Sequence, residues 1–348
     1  MFWYIVLFII GLILIIKGGD WFVDAASWIA EKSGIPKVVI GATIVSVATT
    51  IPEMVASILG TASGALGLAV GNAVGSVIAN TGLILGFALL LAPMVINRKH
   101  YALKCSLLLI AVLVLEITLY TGGGSLNILE GLLLLVIVIA FLWENLVSAK
   151  RELNIVNDAI DNNKEVLDEE IKEEIKALNE EKAIEEKKTN KNKEIVINIL
   201  KFVFGAAGIY FGAKFLVDYG TKIAQYLNVS DAIIGLTLVA IGTSLPELVT
   251  MFSAIKKKEA AISIGNIIGA NIIDISLILP VCAIVSGGTL QLESLRTIYL
   301  ELPVLFLMLL IAFIPTLITK KFRRWQGISL LVIYTVYLVV IVGNFIQF

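Results

Sequence analysis

The chain has 348 residues, of which 58% are hydrophobic and 16% are charged, and its formal net charge is −1. Soluble domains carry about 25% charged residues, so this composition excludes an ordinary soluble protein. The near-neutral charge gives no reason to expect a nucleic-acid partner. A single histidine, His100, argues against a histidine-ligated metal site or a Ser-His nucleophilic pair. We expect Cys105 and Cys282 to pack as small hydrophobes, and we expect no cofactor.

Ten apolar runs of roughly 20 residues follow one another, each long enough to cross a hydrocarbon layer about 30 Å thick. The first run has no basic leader or small-residue cleavage site, so we interpret it as a membrane helix and not as a removable signal peptide. The sequence therefore predicts an all-α, polytopic membrane protein with ten transmembrane helices. The predicted spans are 2–28, 36–59, 68–93, 102–121, 127–147, 195–226, 232–255, 261–286, 297–318 and 326–347.

A polar connector at 149–194 separates an N-terminal five-helix repeat, 1–148, from a C-terminal five-helix repeat, 195–348. Residues 150–194 contain 10 Lys/Arg and 14 Asp/Glu, a composition typical of a solvated linker. Basic residues are also concentrated in alternate turns between the spans, whereas the intervening turns have few. Because basic turns stay on the cytoplasmic side, we expect a cell-membrane protein with a cytoplasmic connector and both termini outside.

The two five-helix units contain an internal repeat. With a shift of 194 residues, VIGATIVSVATTIPEM (39–54) aligns with IIGLTLVAIGTSLPEL (233–248) at seven identities in 16 positions. GNAVGSVIANTGLIL (71–85) aligns with GNIIGANIIDISLIL (265–279) at seven in 15, so the motif blocks cover 39–85 and 233–279. Because five spans is an odd number, the second copy is inverted in the membrane. Inverted repeats place a substrate site near the bilayer midplane, where the copies meet.

The first aligned segments each contain a proline followed directly by a glutamate, Glu53 or Glu247. Proline removes a backbone hydrogen bond, so we expect a kink or a break that frees carbonyls near Thr49 and Thr243. A carboxylate at the bilayer centre is unfavourable unless it is protonated, paired or ion-bound, and neither segment contains a basic residue. The two acids therefore predict a site for a hard cation, which carboxylates and carbonyls suit as ligands.

The second aligned segments contain Asn80 and Asp274 at equivalent positions of the repeat. These residues follow Ser76 and Ala270 by four positions, so each pair shares one helix face. We interpret Asn80 and Asp274 as part of the same central site. The glycines of these segments allow helices to approach closely, and packing is the role that we predict for them.

At these segments the chain resembles the calcium/cation antiporter superfamily, and within it the prokaryotic sodium/calcium exchangers. The resemblance rests on GTSLPE (242–247) with its variant ATTIPE (48–53), and on GNAVGSVIAN (71–80) paired with GNIIGANIID (265–274). It implies a secondary antiporter, not an enzyme, that exchanges Na⁺ for Ca²⁺ by alternating access as the first and sixth helices slide against the others. We expect these ions and the lipid bilayer as partners, and a monomer.

The resemblance also implies roles for individual residues. Calcium would be held by Glu53 and Glu247 with the backbone carbonyls of Thr49 and Thr243, and sodium would share the two glutamates. The other residues that it assigns to sodium or to the centre of the site are Ser76, Ser244, Ala240 (carbonyl), Thr50, Ser46 (carbonyl), Asn80 and Asp274.

Three positions depart from the family pattern. Ala270 stands where a serine is usual, which removes one oxygen from a sodium site; Ala48 replaces glycine, and Thr50 replaces serine but keeps a hydroxyl. Ala270 leaves an H⁺- or K⁺-coupled calcium exchanger as an alternative. An ion channel is a further alternative, because broken helices and acids also line pores. An intramembrane enzyme with Ser244 as nucleophile would have no base, since the aligned segments contain no histidine or lysine.

Overall fold

The computed structural model describes residues 2–62, 64, 66–162, 191–226, 244–291 and 296–346, and this part of the chain is almost entirely helical. Two short strands, β1 (Ser125–Asn127) and β2 (Thr289–Gln291), pair with each other. The helices, in order, are α1 Phe2–Ser33, α2 Lys37–Ala62, α3 66–91, α4 Arg98–Thr121, α5 Ile128–Asn162, α6 Lys191–Tyr226, α7 Leu245–Lys256, α8 Ala260–Val285, α9 Thr297–Thr319 and α10 Arg324–Ile346.

Nine of these described helices, all except α7, are long and apolar enough to cross a membrane. The remaining predicted span, 232–255, has its first residues up to 243 outside the described part, and α7 contains the rest. The all-α polytopic fold is thus confirmed. Several helices are longer than predicted: α5 continues to Asn162, beyond the predicted end at 147. Hydropathy locates the apolar stretch, whereas helical hydrogen bonding continues into the polar sequence that follows it.

The helices with the motif segments form the centre of the molecule. In α8, 83% of the span is buried, compared with 22% in α1 and 17% in α6, so α1 and α6 lie at the periphery. Both α3 and α8 contain a widened π-helical turn, and the two turns begin at the equivalent residues Asn80 and Asp274. Such turns are frequent at functional sites because they displace side chains from the regular helical spacing.

Two backbone pairings, each between a turn of one half and a turn of the other, show the inverted repeat directly. In the first, Asn127 pairs with Thr289, and the Ile128 N–H donates to the Gly288 carbonyl at 2.9 Å. A shift of 194 residues converts the first pair into Lys321 and Val95, which also pair. It likewise converts the hydrogen bond into that from the Phe322 N–H to the Met94 carbonyl, again 2.9 Å. Each half thus contributes the same two turns, and each turn pairs with a turn of the other half.

Glycines allow close contact between α1 and α6. A Cβ atom at Gly18 would lie 2.8 Å from the Gly205 carbonyl oxygen, and one at Gly205 would lie 2.9 Å from that of Gly18. Gly11 and Gly212, which are 194 residues from Gly205 and Gly18, show the same reciprocal approach. The two helices therefore cross around an axis that relates the halves of the molecule.

The C-terminal end of α1 is held by polar contacts to the turn between α7 and α8. The Lys257 ammonium lies 2.6 Å from the Asp24 carboxylate. Glu259 accepts hydrogen bonds from the Ser27 hydroxyl at 2.9 Å and from the Lys37 ammonium at 2.8 Å. These contacts connect the peripheral helix α1 to the central helices at one end of the molecule.

Candidate ion-binding site

The two motif glutamates lie in equivalent, buried environments. Glu53 on α2 and Glu247 on α7 are each 1% exposed. Helix α2 contacts the π turn of α8 that starts at Asp274, and α7 contacts the π turn of α3 that starts at Asn80. The two halves thus cross-pack, with the glutamate helix of each half against the widened turn of the other.

The acidic side chains from the two halves interact. The Glu53 carboxylate is close enough to Glu247 and Asp274 for their charges to affect it. The Glu247 carboxylate interacts with the hydroxyl of Thr49, which lies one turn before Glu53 on α2. The structure therefore brings both glutamates and Asp274 to one region, as the sequence predicts for the central site.

Many buried oxygens in this region have no hydrogen-bond partner among the described residues. In the interior a polar atom normally has a partner, because desolvation without one is unfavourable by about 1–3 kcal/mol. Unpartnered oxygens that cluster in this way are suited to a ligand that accepts lone pairs. Those on predicted site residues belong to Glu53 (Oε2), Glu247 (Oε2), Asp274 (Oδ1), Asn80 (Oδ1), Ser76 (Oγ) and Ser244 (Oγ).

The remaining described residues of the predicted site lie on α2. The Thr50 hydroxyl donates to the Ser46 carbonyl at 2.6 Å, so these two predicted sodium ligands contact each other. The Thr49 hydroxyl lies 3.1 Å from the Asn266 amide oxygen on α8. Thr243 and Ala240 lie outside the described residues. Their roles remain predictions.

Two asparagines outside the predicted site are part of its surroundings. Asn266, which contacts Thr49, and Asn72 occupy equivalent repeat positions. The Asn72 amide donates to the Ser57 hydroxyl at 2.9 Å and to the Glu53 carbonyl at 3.3 Å. The signal was present in the sequence, because both asparagines follow the first glycine of the second aligned segments.

The helix is not broken at Pro52, although a break was one of the two effects that the sequence allowed there. We predicted a kink or a break, and helix Ser46–Ala62 continues through Pro52 without a break. The carbonyl that loses its helical donor to proline is that of Ala48, four residues earlier. In the other half, Pro246 lies in the first turn of α7, where a missing N–H is tolerated.

The predicted packing role of the motif glycines is seen in α8. A Cβ atom at Gly265 would overlap the Val38 carbonyl oxygen, and one at Gly269 would lie 2.6 Å from that of Ala42. For Gly71 and Gly75, no described atom lies within 4 Å of such a Cβ.

A small pocket lies between the predicted site and the crossing of α1 and α6. It extends between the two motif prolines to Thr49, and residues of α1 and α6 form its outer wall. Its lining residues are Phe22, Ala48, Thr49, Pro52, Ala206, Ile209, Tyr210 and Pro246. No group of three or more His, Cys, Asp or Glu side chains in the described residues has the spacing of a metal cluster.

Comparison with known proteins identifies the family. The model of the family described as "Sodium/calcium exchanger protein" matches residues 3–147 and 197–343, which is most of the chain in two pieces. The chain belongs to the sodium/calcium exchanger family. The two matched pieces correspond to the five-helix halves, and the gap between them contains the connector.

Several known proteins resemble this chain over nearly its whole length. Sodium/calcium exchanger MaX1 of Methanosarcina acetivorans is 32% identical over 361 residues, covering 96% of this chain and 97% of its own. An uncharacterised membrane protein of Methanocaldococcus jannaschii is 30% identical over 335 residues, with 94% and 95% covered. A solved structure of the sodium-calcium exchanger NCX_Mj, soaked with Na⁺ and Sr²⁺, matches with a TM-score of 0.72 and 29% identity, covering 96% and 97%.

Membership in this family of transporters confirms the predicted antiporter superfamily and places the chain among transport proteins, not enzymes. The inverted-repeat architecture agrees with that of the solved exchanger.

Proposed function

We propose that this chain is a secondary active antiporter that exchanges Na⁺ for Ca²⁺ at the buried oxygens between its two halves. Calcium binds Glu53 and Glu247 with the carbonyls of Thr49 and Thr243. Sodium shares the glutamates. The further oxygens for sodium and for the centre of the site come from Ser76, Ser244, Ala240, Thr50, Ser46, Asn80 and Asp274.

The observation that carries this proposal is the group of buried oxygens on α2, α3, α7 with its preceding residue Ser244, and α8 that have no hydrogen-bond partner in the described part of the chain. Carboxylates mixed with neutral oxygens match the preference of Ca²⁺ for six to eight oxygen ligands in a flexible shell.

Exchange follows from competition for negative charge. Two glutamates balance either one dehydrated Ca²⁺ or sodium ions, and charge repulsion disfavours holding both kinds together. A site with its charges balanced can pass through an occluded state, whereas bare carboxylates cannot cross an apolar barrier at low free energy. Translocation therefore requires a bound ion in each direction, which makes the exchange obligatory.

The peripheral position of α1 and α6 supports alternating access. These two helices contact each other through glycines and adjoin the small pocket that leads to Thr49. Movement of the pair along the central helices would expose the site first on one side and then on the other. Rigid-body movement around a fixed site is the usual means of transport by inverted-repeat transporters.

The test is ⁴⁵Ca²⁺ uptake into proteoliposomes under an imposed sodium gradient with the voltage clamped. We expect Glu53→Gln and Glu247→Gln each to reduce sodium-driven uptake at least about 100-fold, because each removes a charge that balances the ion. Glu116→Gln is the matched control, since Glu116 also lies in a membrane span, on α4, and is only partly buried. Near-normal uptake by both site variants, with normal elution on size exclusion, would refute the proposal.

The second candidate is an exchanger that couples calcium to H⁺ or K⁺. It is favoured by Ala270, which is fully buried and offers no oxygen where its repeat partner is Ser76. The same proteoliposomes distinguish the two candidates. Uptake driven by a proton or potassium gradient in the absence of sodium would support the second candidate, and uptake that requires sodium would support the first.

A further inference from the structure

The turn between α3 and α4 meets the turn between α9 and α10 at one end of the molecule. Val95 pairs with Lys321, and the Ile96 N–H donates to the Lys320 carbonyl at 2.9 Å. Three cationic side chains, Lys321, Arg323 and Arg324, surround this pairing. We refer to these three residues together with 93–95 and Phe322 as the basic corner.

The basic corner contains an open pocket of about 350 Å³, which is at the lower end of the range for small-molecule sites. Phe322 is buried beneath it, whereas Val95 is 65% exposed at its rim. The three cations are exposed, and none has an acidic partner among the described residues. The complete lining consists of Pro93, Met94, Val95, Lys321, Phe322, Arg323 and Arg324.

Two helices begin next to this pocket, α4 at Arg98 and α10 at Arg324. The N-terminal end of a helix carries a partial positive charge, so both helices add to the attraction for an anion. The first turn of α10 is fixed in place by Gln326. Its amide oxygen accepts from the Arg323 N–H at 2.8 Å, and its amide nitrogen donates to the Thr316 hydroxyl at 2.8 Å.

The pairing of β1 with β2 provides an internal comparison for the basic corner. It has the same backbone pairing, but the residues equivalent to Lys321, Arg323 and Arg324 are Asn127, Leu129 and Glu130. The pairing therefore forms without any of the three cations. A general excess of basic residues on one membrane side explains a cationic turn, but not cations arranged around an apolar pocket at two helix N-termini.

We propose that the basic corner binds the phosphate-bearing headgroup of an anionic phospholipid. The pocket lies at the ends of membrane-spanning helices, which is the depth of lipid headgroups. Its cations match the phosphate, and its exposed apolar rim can contact the first part of an acyl chain. Basic pockets between membrane helices are sites of this kind for anionic lipids.

Trp325, 46% exposed and adjacent to Arg324, is a built-in reporter for this site. A single-tryptophan protein, with the other four replaced by phenylalanine, is reconstituted with brominated phosphatidylglycerol in a phosphatidylcholine background or with the bromine on phosphatidylcholine. We expect Trp325 fluorescence to be quenched at lower fractions of brominated phosphatidylglycerol. The replaced residues are Trp3, Trp21, Trp28 and Trp143.

The matched variants are Arg323→Gln/Arg324→Gln in the pocket and Lys256→Gln/Lys258→Gln in the turn after α7. Each pair removes two charges, and each removed pocket charge should reduce the preference for phosphatidylglycerol about fivefold. We expect the control pair to retain the preference of the parent protein. If the pocket pair does not elute as a folded protein, the single variant Lys321→Gln replaces it.

Three results would overturn the proposal. These are equal quenching by the two brominated lipids in the parent protein, an undiminished preference in the pocket variant, or an equal loss in the control pair. Displacement of the brominated phosphatidylglycerol by inorganic phosphate at constant ionic strength would also overturn it, because the pocket would then be a site for a small soluble anion.

Discussion

Ala270 gives the two halves of the candidate site different numbers of oxygens. It is fully buried on α8, one turn before Asp274, at the position equivalent to Ser76. The Ser76 hydroxyl has no partner among the described residues, which leaves it free to face an ion. The half with Ala270 lacks this oxygen, so we expect its contribution to sodium binding to be weaker.

We predict that Ala270→Ser lowers the sodium concentration for half-maximal exchange several-fold, because the added hydroxyl supplies a neutral ligand. The measurement is sodium-dependent ⁴⁵Ca²⁺ flux in proteoliposomes. Ala283→Ser is the control, since Ala283 is also fully buried on α8 but lies more than two turns beyond Asp274. An unchanged sodium dependence in Ala270→Ser would exclude this position from the sodium site.

At the level of single residues, the sequence predicted those whose chemistry is unusual for a membrane interior. Glu53, Glu247 and Asp274 are acids without a basic neighbour in their segments, and the structure brings them into one region. Asn72 and Asn266 were not predicted, because an amide in a helix carries no charge and its partner depends on a second helix. Thr49 shows the same dependence, since its contact with Asn266 crosses from one half to the other.

Among the helices, the contact between α1 and α6 depends on the absence of side chains. A Cβ at Gly18 would lie 2.7 Å from the backbone nitrogen of Ile209, which cannot move away as a side chain could. Gly131 on α5 offers a contrast, because a Cβ there would lie 3.4 Å from Pro280, at ordinary contact distance.

We therefore predict that Gly18→Ala destabilises the protein by about 1–3 kcal/mol through overpacking. Gly131→Ala should be neutral or slightly stabilising, because alanine is the better helix former. Thermal unfolding of the two purified variants in the same detergent provides the measurement. Equal melting temperatures would show that α1 and α6 are not in this close contact.

Helix positions could be predicted from apolar length, but helix pairs could not. The spacing of Gly208 and Gly212 in α6 is a Gly-x-x-x-Gly motif, which indicates a close helix contact but does not name the partner helix. The partner is known only when Gly18 and Gly205 are seen opposite each other. The charges at the end of α1 are similar. Asp24 received no role from the sequence, and its partner Lys257 lies 233 residues away.

At the scale of the whole molecule, the two backbone pairings between turns lie at opposite ends of α4. Because α4 is long and apolar enough to cross the membrane, we expect them on different sides of it. The two turns that pair through β1 and β2 are nearly free of basic residues, whereas the basic corner contains three basic residues. We propose on this ground, as from the sequence, that the connector and the turn at 256–258 are cytoplasmic and that both termini are outside.

We predict that a membrane-impermeant maleimide labels Thr289→Cys in intact cells but labels Lys256→Cys only after permeabilisation. Both positions are exposed, Thr289 on β2 and Lys256 at the end of α7. The unmodified chain is the control, because its two cysteines are buried and should not react. The reverse pattern of labelling would invert the proposed orientation.

The inverted architecture was predictable because one shift of 194 residues aligns two separate segments and each half has five spans. The two backbone pairings between turns were not predictable in the same way. The first consists of strands only three residues long and the second of a single bridge, and the paired turns are neutral in the first and basic in the second. Backbone pairing of this kind depends on where helices end in space, which local sequence does not encode.

The pairing of turns from different halves also has a consequence for biogenesis. Asn127 leaves the ribosome 162 residues before its partner Thr289, a delay of about 8–30 s at 5–20 residues per second. During this interval the N-terminal half is in the membrane with its glutamate and its turn segments lacking their counterparts. Assembly of the exchanger must therefore await the second half, and a chain truncated at the connector would be a substrate for membrane quality control.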